Sequence, residues 1–279
     1  MSFLKKVGHK VCKLKSLTKA SFYNNGVNAF WWTKEVNFGD LFTPELLKYY
    51  GATAVESRPE KAAIVGVGSL YGMIPSKFKG TFLGTGLIDD QKMQFENATF
   101  AAVRGELTRN NLGLTRNTPL GDFGLLANKL ISKKVIKKKY TVGFIPHYVD
   151  QKHPWLNSMK KYLGVSECTI IDVRTSAESV TKQVAECELI ISSSLHGIVV
   201  ADSLNIPNVW IELSNKVIGE GFKFRDYNSA IDYEQHPLRV TSYTKMAELK
   251  KFIANKSAKK IANKIVELDK ILLTTIQSN

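Results

Sequence analysis

A chain of 279 residues is long enough for one large domain or two modest ones, each with a core of its own. Its composition, 44% hydrophobic and 23% charged, excludes global disorder, and no run of about 18 apolar residues is present to cross a bilayer. The net charge of +14 is clustered, with six lysines in residues 1–20, six in 129–139 and eight in 245–279, which fits either solvated helix faces or contact with an anionic partner.

In chain order, residues 3–17 place Phe3, Leu4, Val7, Val11, Leu14 and Leu17 at steps of three and four. This amphipathic, lysine-rich helix either docks on the body of the protein or lies in a membrane surface. Lys5, Lys6, Lys10, Lys13 and Lys15 leave no room for a secretory apolar core. Asn28–Thr33 then reads as a strand and Asp40–Tyr50 as a helix with Pro44 in its first turn. Ala62–Val67, Thr81–Leu83 and Thr99–Val103 are further strands, the last running into a helix closed by Gly113. The lysine-rich stretch 129–139 reads as a linker or exposed helix end. The second half alternates cleanly: strands at Tyr140–Ile145, Thr169–Val173, Leu189–Ser192 and Asn208–Ile211, with helices near Pro154–Leu163, Ala177–Ala185 and Gly197–Leu204. Residues Tyr243–Leu273 form an amphipathic helix or helix pair with Met246, Leu249, Ile253, Ile261, Ile265, Leu268 and Leu272 on one stripe.

Strands alternating with helices predict an α/β protein built from βαβ units on parallel sheets. The expected layout is a basic N-terminal helix (1–24), a Rossmann-like domain (25–138), a second Rossmann-like domain holding the donor (139–242) and a C-terminal helix (243–279), the two domains facing one another across a cleft. The three cysteines, Cys12, Cys168 and Cys187, are odd in number and far apart. They form no metal spacing and no disulfide framework, and suit a reducing cytoplasm. No metal constellation is visible, and no zinc-finger, RRM or KH signature accompanies the charge, so nucleic acid is not an expected partner.

Ligands of open parallel sheets bind beyond the carboxyl ends of strands, and four loops hold unusual polar residues at such positions. In Ser192-Ser193-Ser194-Leu195-His196-Gly197 a buried strand breaks into three serines and a histidine where a helix begins. Helix-terminal amides and hydroxyls bind phosphate or carboxylate there, and a histidine shuttles protons. The plainer alternative is a serine cap and a half-buried histidine. Arg104 follows an apolar strand immediately, placed for a bidentate grip on an anion or for an ion pair with Glu106 or Asp122. In Asn37-Phe38-Gly39-Asp40, Gly39 allows close backbone approach, Asn37 offers donor and acceptor, and Asp40 is a helix-cap acid or a general base. Gly66-Val67-Gly68-Ser69 and Gly84-Thr85-Gly86 are tight turns suited to a cleft wall; Tyr71 breaks any dinucleotide fingerprint. Gly121-Asp122 reads as structural.

These loops in this order, together with Lys223-Phe224-Arg225-Asp226-Tyr227, resemble the polysaccharide pyruvyl transferase family over about residues 25–230. The resemblance implies a fold like the two-domain GT-B glycosyltransferases, no cofactor, phosphoenolpyruvate as donor co-substrate and a glycan or lipid-linked sugar as acceptor. It also implies that Arg104, Leu195 and His196 line the donor site. On that basis Arg104, Ser193, Ser194, Leu195, Gly197 and Lys223 are expected to hold phosphoenolpyruvate, with His196 the acid and Asp40 the base. Asn37, Gly39, Gly68, Ser69 and Gly86 are then on the acceptor side or cleft wall. Peripheral attachment at the inner face of a membrane would suit a lipid-linked acceptor. The competing reading is a GT-B glycosyltransferase using a nucleotide sugar.

Overall fold

The computed structural model describes residues 25–132 and 136–278. The N-terminal amphipathic stretch, with the membrane contact expected of it, and the centre of the second lysine cluster lie outside the described residues.

The chain forms two five-stranded parallel sheets. The first contains β1 (Gly26–Phe30), β2 (Thr53–Glu56), β3 (Ile64–Val65), β4 (Thr81–Thr85) and β5 (Thr99–Val103) in the order β2-β1-β3-β4-β5. The second contains β6 (Tyr140–Ile145), β7 (Cys168–Ile170), β8 (Cys187–Ser192), β9 (Asn208–Glu212) and β10 (Leu238–Arg239) in the order β10-β9-β8-β6-β7. Each half therefore repeats one winding, in which the chain turns back between its first and third strands. β1 pairs with β3 at Ala29–Ile64, and β6 with β8 at Val142–Leu189. β3, β4, β6 and β8 are buried on both faces over most of their length, as parallel sheets require, whereas β1 alternates buried with exposed residues.

The helices are α1 (Phe38–Tyr49), α2 (Glu106–Asn111), α3 (Pro154–Leu163), α4 (Ala177–Ala185), α5 (Leu195–Ser203), α6 (Phe222–Ser229), α7 (Met246–Leu249) and α8 (Ala258–Gln277). α5 is wholly buried and mostly apolar, with His196, Asp202 and Ser203 its polar side chains, which marks it as a central helix. One apolar cluster runs from Phe38, Phe42 and Phe123 in the first half to Ile145, Ile190 and Leu195 in the second, so the halves share a core. Full burial of a side chain such as Phe42, with no exposure, contributes about 1.5–3 kcal/mol.

Several boundaries depart from the sequence reading. α1 begins two residues early, so Pro44 lies in its second turn and offers no amide to the Asp40 carbonyl. The C-terminal stripe is broken: Ser257 accepts from the Lys260 amide and starts α8 afresh. α8 buries Ile261, Leu268 and Leu272 and is tied to both halves. Lys129 reaches Asp269 at 2.8 Å, and Lys256, just before the helix, reaches Asp202 at 2.7 Å. None of the described helices is long and apolar enough to cross a membrane.

Candidate functional site

The strand order reverses between β1 and β3 in one sheet and between β6 and β8 in the other. Such reversals leave a crevice beyond the carboxyl ends of the strands. Loops leaving all four strands meet at a cavity of about 350 Å³. Asn37 comes from the loop after β1 and Asp40 from the first turn of α1, Gly68 and Ser69 from the loop after β3, His147 and Tyr148 from that after β6, and Ser194 from that after β8, with Leu195 and His196 in the first turn of α5. Lys216 and Lys223, following β9, complete the wall.

Asn37 caps α1. Its Oδ1 accepts from the Gly39 amide at 3.4 Å and its Nδ2 donates to Asp40 Oδ2 at 3.0 Å. Asp40 is buried, and burial pushes its pKa from 3.8 to about 6, although His196, Asn37 and Lys223 pull the other way. Lys223, in the first turn of α6, is held down to about 8 by burial and by the Arg104 charge, partly offset by Asp40. A carboxyl and an amine are thus both drawn towards neutrality in one cavity, the condition in which side chains exchange protons at physiological pH.

His196 lies in the first turn of α5 with 8% of its surface exposed, packed against the rings of Phe38 and Phe42, each 6.1 Å away. Its Nε2 is 3.5 Å from Oδ2 of Asp122. Gly39 lies beneath the imidazole: a Cβ there would stand 2.0 Å from Nδ1. The glycine thus makes room for the histidine, and it does not line the cavity as a ligand contact. Gly86 plays the same part for Arg104, whose Cζ a Cβ would approach to 2.1 Å.

The serine loop divides its work. Ser192 Oγ sits 2.8 Å from the Ile145 and Ser194 carbonyls and accepts from the Ser194 amide, and Gly197 packs against it. Neither residue reaches the cavity. Ser193 Oγ accepts from the His147 amide at 2.9 Å and faces a separate cavity of about 540 Å³ with Trp210, Asn215 and Arg239. Ser194 occupies the cap position of α5, yet its side chain makes no capping bond. The positive end of a buried helix therefore opens beside Lys223 and His196, an arrangement suited to an anion.

Arg104 is 1% exposed and does not line this cavity. Its Nε donates to Asp226 Oδ2 at 2.9 Å, its Nη1 to Ser69 Oγ at 2.8 Å and its Nη2 to the Leu87 carbonyl. Its ion-pair partner is neither Glu106 nor Asp122, and its guanidinium is committed behind Ser69 and Lys223. Among the polar residues at or behind the cavity that the sequence does not single out are Lys216, His147 and Asp122. Lys216 and His147 lie on loops that follow strands, and position just past a strand end was the available signal. Burial and Lys223 hold His147 down to about 3, so its imidazole is neutral. Asp122 carried no signal beyond its glycine neighbour. Among the described residues, no three His, Cys, Asp or Glu side chains group as a metal site.

The family model for polysaccharide pyruvyl transferase matches residues 22–215. The chain belongs to this family. The succinoglycan biosynthesis protein ExoV of Rhizobium meliloti (strain 1021) is 25% identical over 222 residues, covering 77% of this chain and 68% of ExoV. The uncharacterized protein L143 of Acanthamoeba polyphaga mimivirus is 34% identical over 164 residues, 55% of each chain. The matched segment of this pyruvyl transferase family member holds Asp40, Asp122, His147 and His196, whereas Lys216, Lys223 and Asp226 lie beyond it.

Proposed function

We propose that this chain transfers the pyruvyl group of phosphoenolpyruvate to a glycan or lipid-linked sugar, forming a ketal, and that its paired sheets act as a GT-B-like frame. The observation that carries the reading is Asp40. A buried carboxyl titrating at about 6 shares one cavity with His196, Lys223 and the open N-terminus of α5. Phosphoenolpyruvate brings a carboxylate and a phosphate, which Lys223, Lys216 and the α5 amides neutralise. His196 as imidazolium protonates the methylene carbon and makes C2 electrophilic. A sugar hydroxyl attacks C2 while Asp40 takes its proton. Phosphate departs with the bridging oxygen, and a second hydroxyl closes the ketal and releases its proton. The products are the ketal and inorganic phosphate.

Thermal-shift titration with phosphoenolpyruvate, UDP and GDP tests the reading. Saturable stabilisation by phosphoenolpyruvate alone is expected, about 2.7 kcal/mol at a hundred times Kd. Stabilisation by a nucleotide alone would replace this reading with a nucleotide-sugar glycosyltransferase.

A further inference from the structure

Asp122 follows β5 and opens the short helical turn Phe123–Lys129. Its side chain is buried, with 1% exposure. Oδ1 accepts from the Gly124 amide at 2.8 Å. Oδ2 has no hydrogen-bond partner and lies 3.5 Å from His196 Nε2, which also has none. A buried carboxylate oxygen left without a donor is costly, and the imidazole supplies one if its proton sits on Nε2. Contacts of this kind commonly start long and tighten when substrate binds. The ring has little freedom to turn, since Phe38 and Phe42 both pack against it and Gly39 abuts Nδ1.

The two imidazole nitrogens therefore have different surroundings. Nε2 faces a buried carboxylate away from the cavity. Nδ1 lies against the Gly39 α-carbon, next in sequence to Asp40, whose carboxyl feels the His196 charge. We propose that Asp122 is a positioning residue: it accepts the Nε2 proton, fixes the neutral imidazole as the Nε2–H tautomer, and leaves Nδ1 as the nitrogen that gains and gives the proton. In the reaction, Nδ1–H of the imidazolium is delivered to the methylene carbon, Asp40 accepts the hydroxyl proton, and its return to Nδ1 resets both groups. Asp122 orients the imidazole and takes no part in the proton transfers to substrate. The catalytic half of this inference rests on the proposed function; the tautomer rests on geometry alone.

Long-range ¹H–¹⁵N correlation spectra of the full chain, recorded without substrate at a pH where His196 is neutral, read the tautomer directly. The wild type should show protonated Nε2 and bare Nδ1. In Asp122→Asn the amide can donate to Nε2, so the tautomer should reverse. With it, kcat for phosphoenolpyruvate turnover should fall about 10²–10⁴-fold, the scale of one placed proton transfer, at unchanged KM. A wild type carrying its proton on Nδ1 overturns the proposal even if the variant fails to fold. So does an Asp122→Asn protein that keeps both tautomer and kcat. Because the spectrum needs no substrate, a wild type inert towards phosphoenolpyruvate would bring down the proposed function while the tautomer is still decided.

Discussion

Replacing Asp40 by asparagine should stabilise the protein at alkaline pH while stopping its chemistry. The carboxyl has its pKa raised from 3.8 to about 6, burial being the main cause. The unfolded chain therefore gives up this proton first as pH rises. Stability from this group is complete below 3.8, is lost as pH rises towards 6, and stays lost above it. A displacement of about two pH units corresponds to roughly 3 kcal/mol. Two effects modify that ceiling. The Asn37 amide keeps an acceptor in the new side chain, so its 3.0 Å hydrogen bond is replaceable. Lys223 loses the one charge that raises its pKa, which returns part of the gain. A net stabilisation of about 1–3 kcal/mol at pH 8 remains, with little difference at pH 3.5. Urea unfolding of wild type and Asp40→Asn at both pH values measures it. Turnover should fall by at least about 10²-fold. A variant equally destabilised at pH 8 and pH 3.5 would falsify the claim that Asp40 is held ionised at a cost.

Phosphoenolpyruvate affinity should weaken as pH rises through about 8, because Lys223 loses its charge there; calorimetric titrations at pH 7 and 9 with equal Kd would count against Lys223 as an anion ligand. Gly39→Ala puts a methyl 2.0 Å from His196 Nδ1, so a loss of about 1–3 kcal/mol and of most activity is expected; a fully active protein would mean the histidine can move aside. Arg104→Met strips the 2.9 Å partner from Asp226 and should cost about 3–5 kcal/mol in urea unfolding, as breaking a buried pair does. A change below about 1 kcal/mol, with donor affinity lost, would restore the direct donor contact implied by the family resemblance.

The loops of the site were legible because each marks an abrupt change in chemistry. Leu189-Ile190-Ile191 runs into Ser192-Ser193-Ser194, and Ala101-Ala102-Val103 into Arg104, and a buried strand does not end in such groups without reason. Pairing across the chain left no such mark. Asp226 meets Arg104 across 122 positions, and Asp122 meets His196, yet nothing local in either acid distinguishes it from a turn residue. Edge strands were lost for a related reason. Thr53–Glu56 and Leu238–Arg239 are too short for alternation to stand out. At the C-terminus the spacing leaves one helix or a helix pair open, because Met246, Leu249 and Ile253 continue the stripe of α8 across a break that only Ser257 announces.

Arg104 shows how a residue can matter to a site without lining it. Its guanidinium holds Asp226, which also accepts from the Thr108 amide at 2.8 Å and hydroxyl at 2.6 Å, locking α6 onto α2. α6 carries Lys223 into the cavity, so the arginine fixes the position of the amine. The same positive charge helps to hold the Lys223 pKa down, and the third contact pins Ser69 on the cavity wall. Loss of Arg104 would therefore free the lysine to move out of place, which weakens its grip on an anion even though its pKa would rise. A weakened donor affinity in an Arg104 variant is consequently expected on either account of the residue. Only its combination with folding stability separates an arginine that touches the donor from one that builds the place where the donor sits.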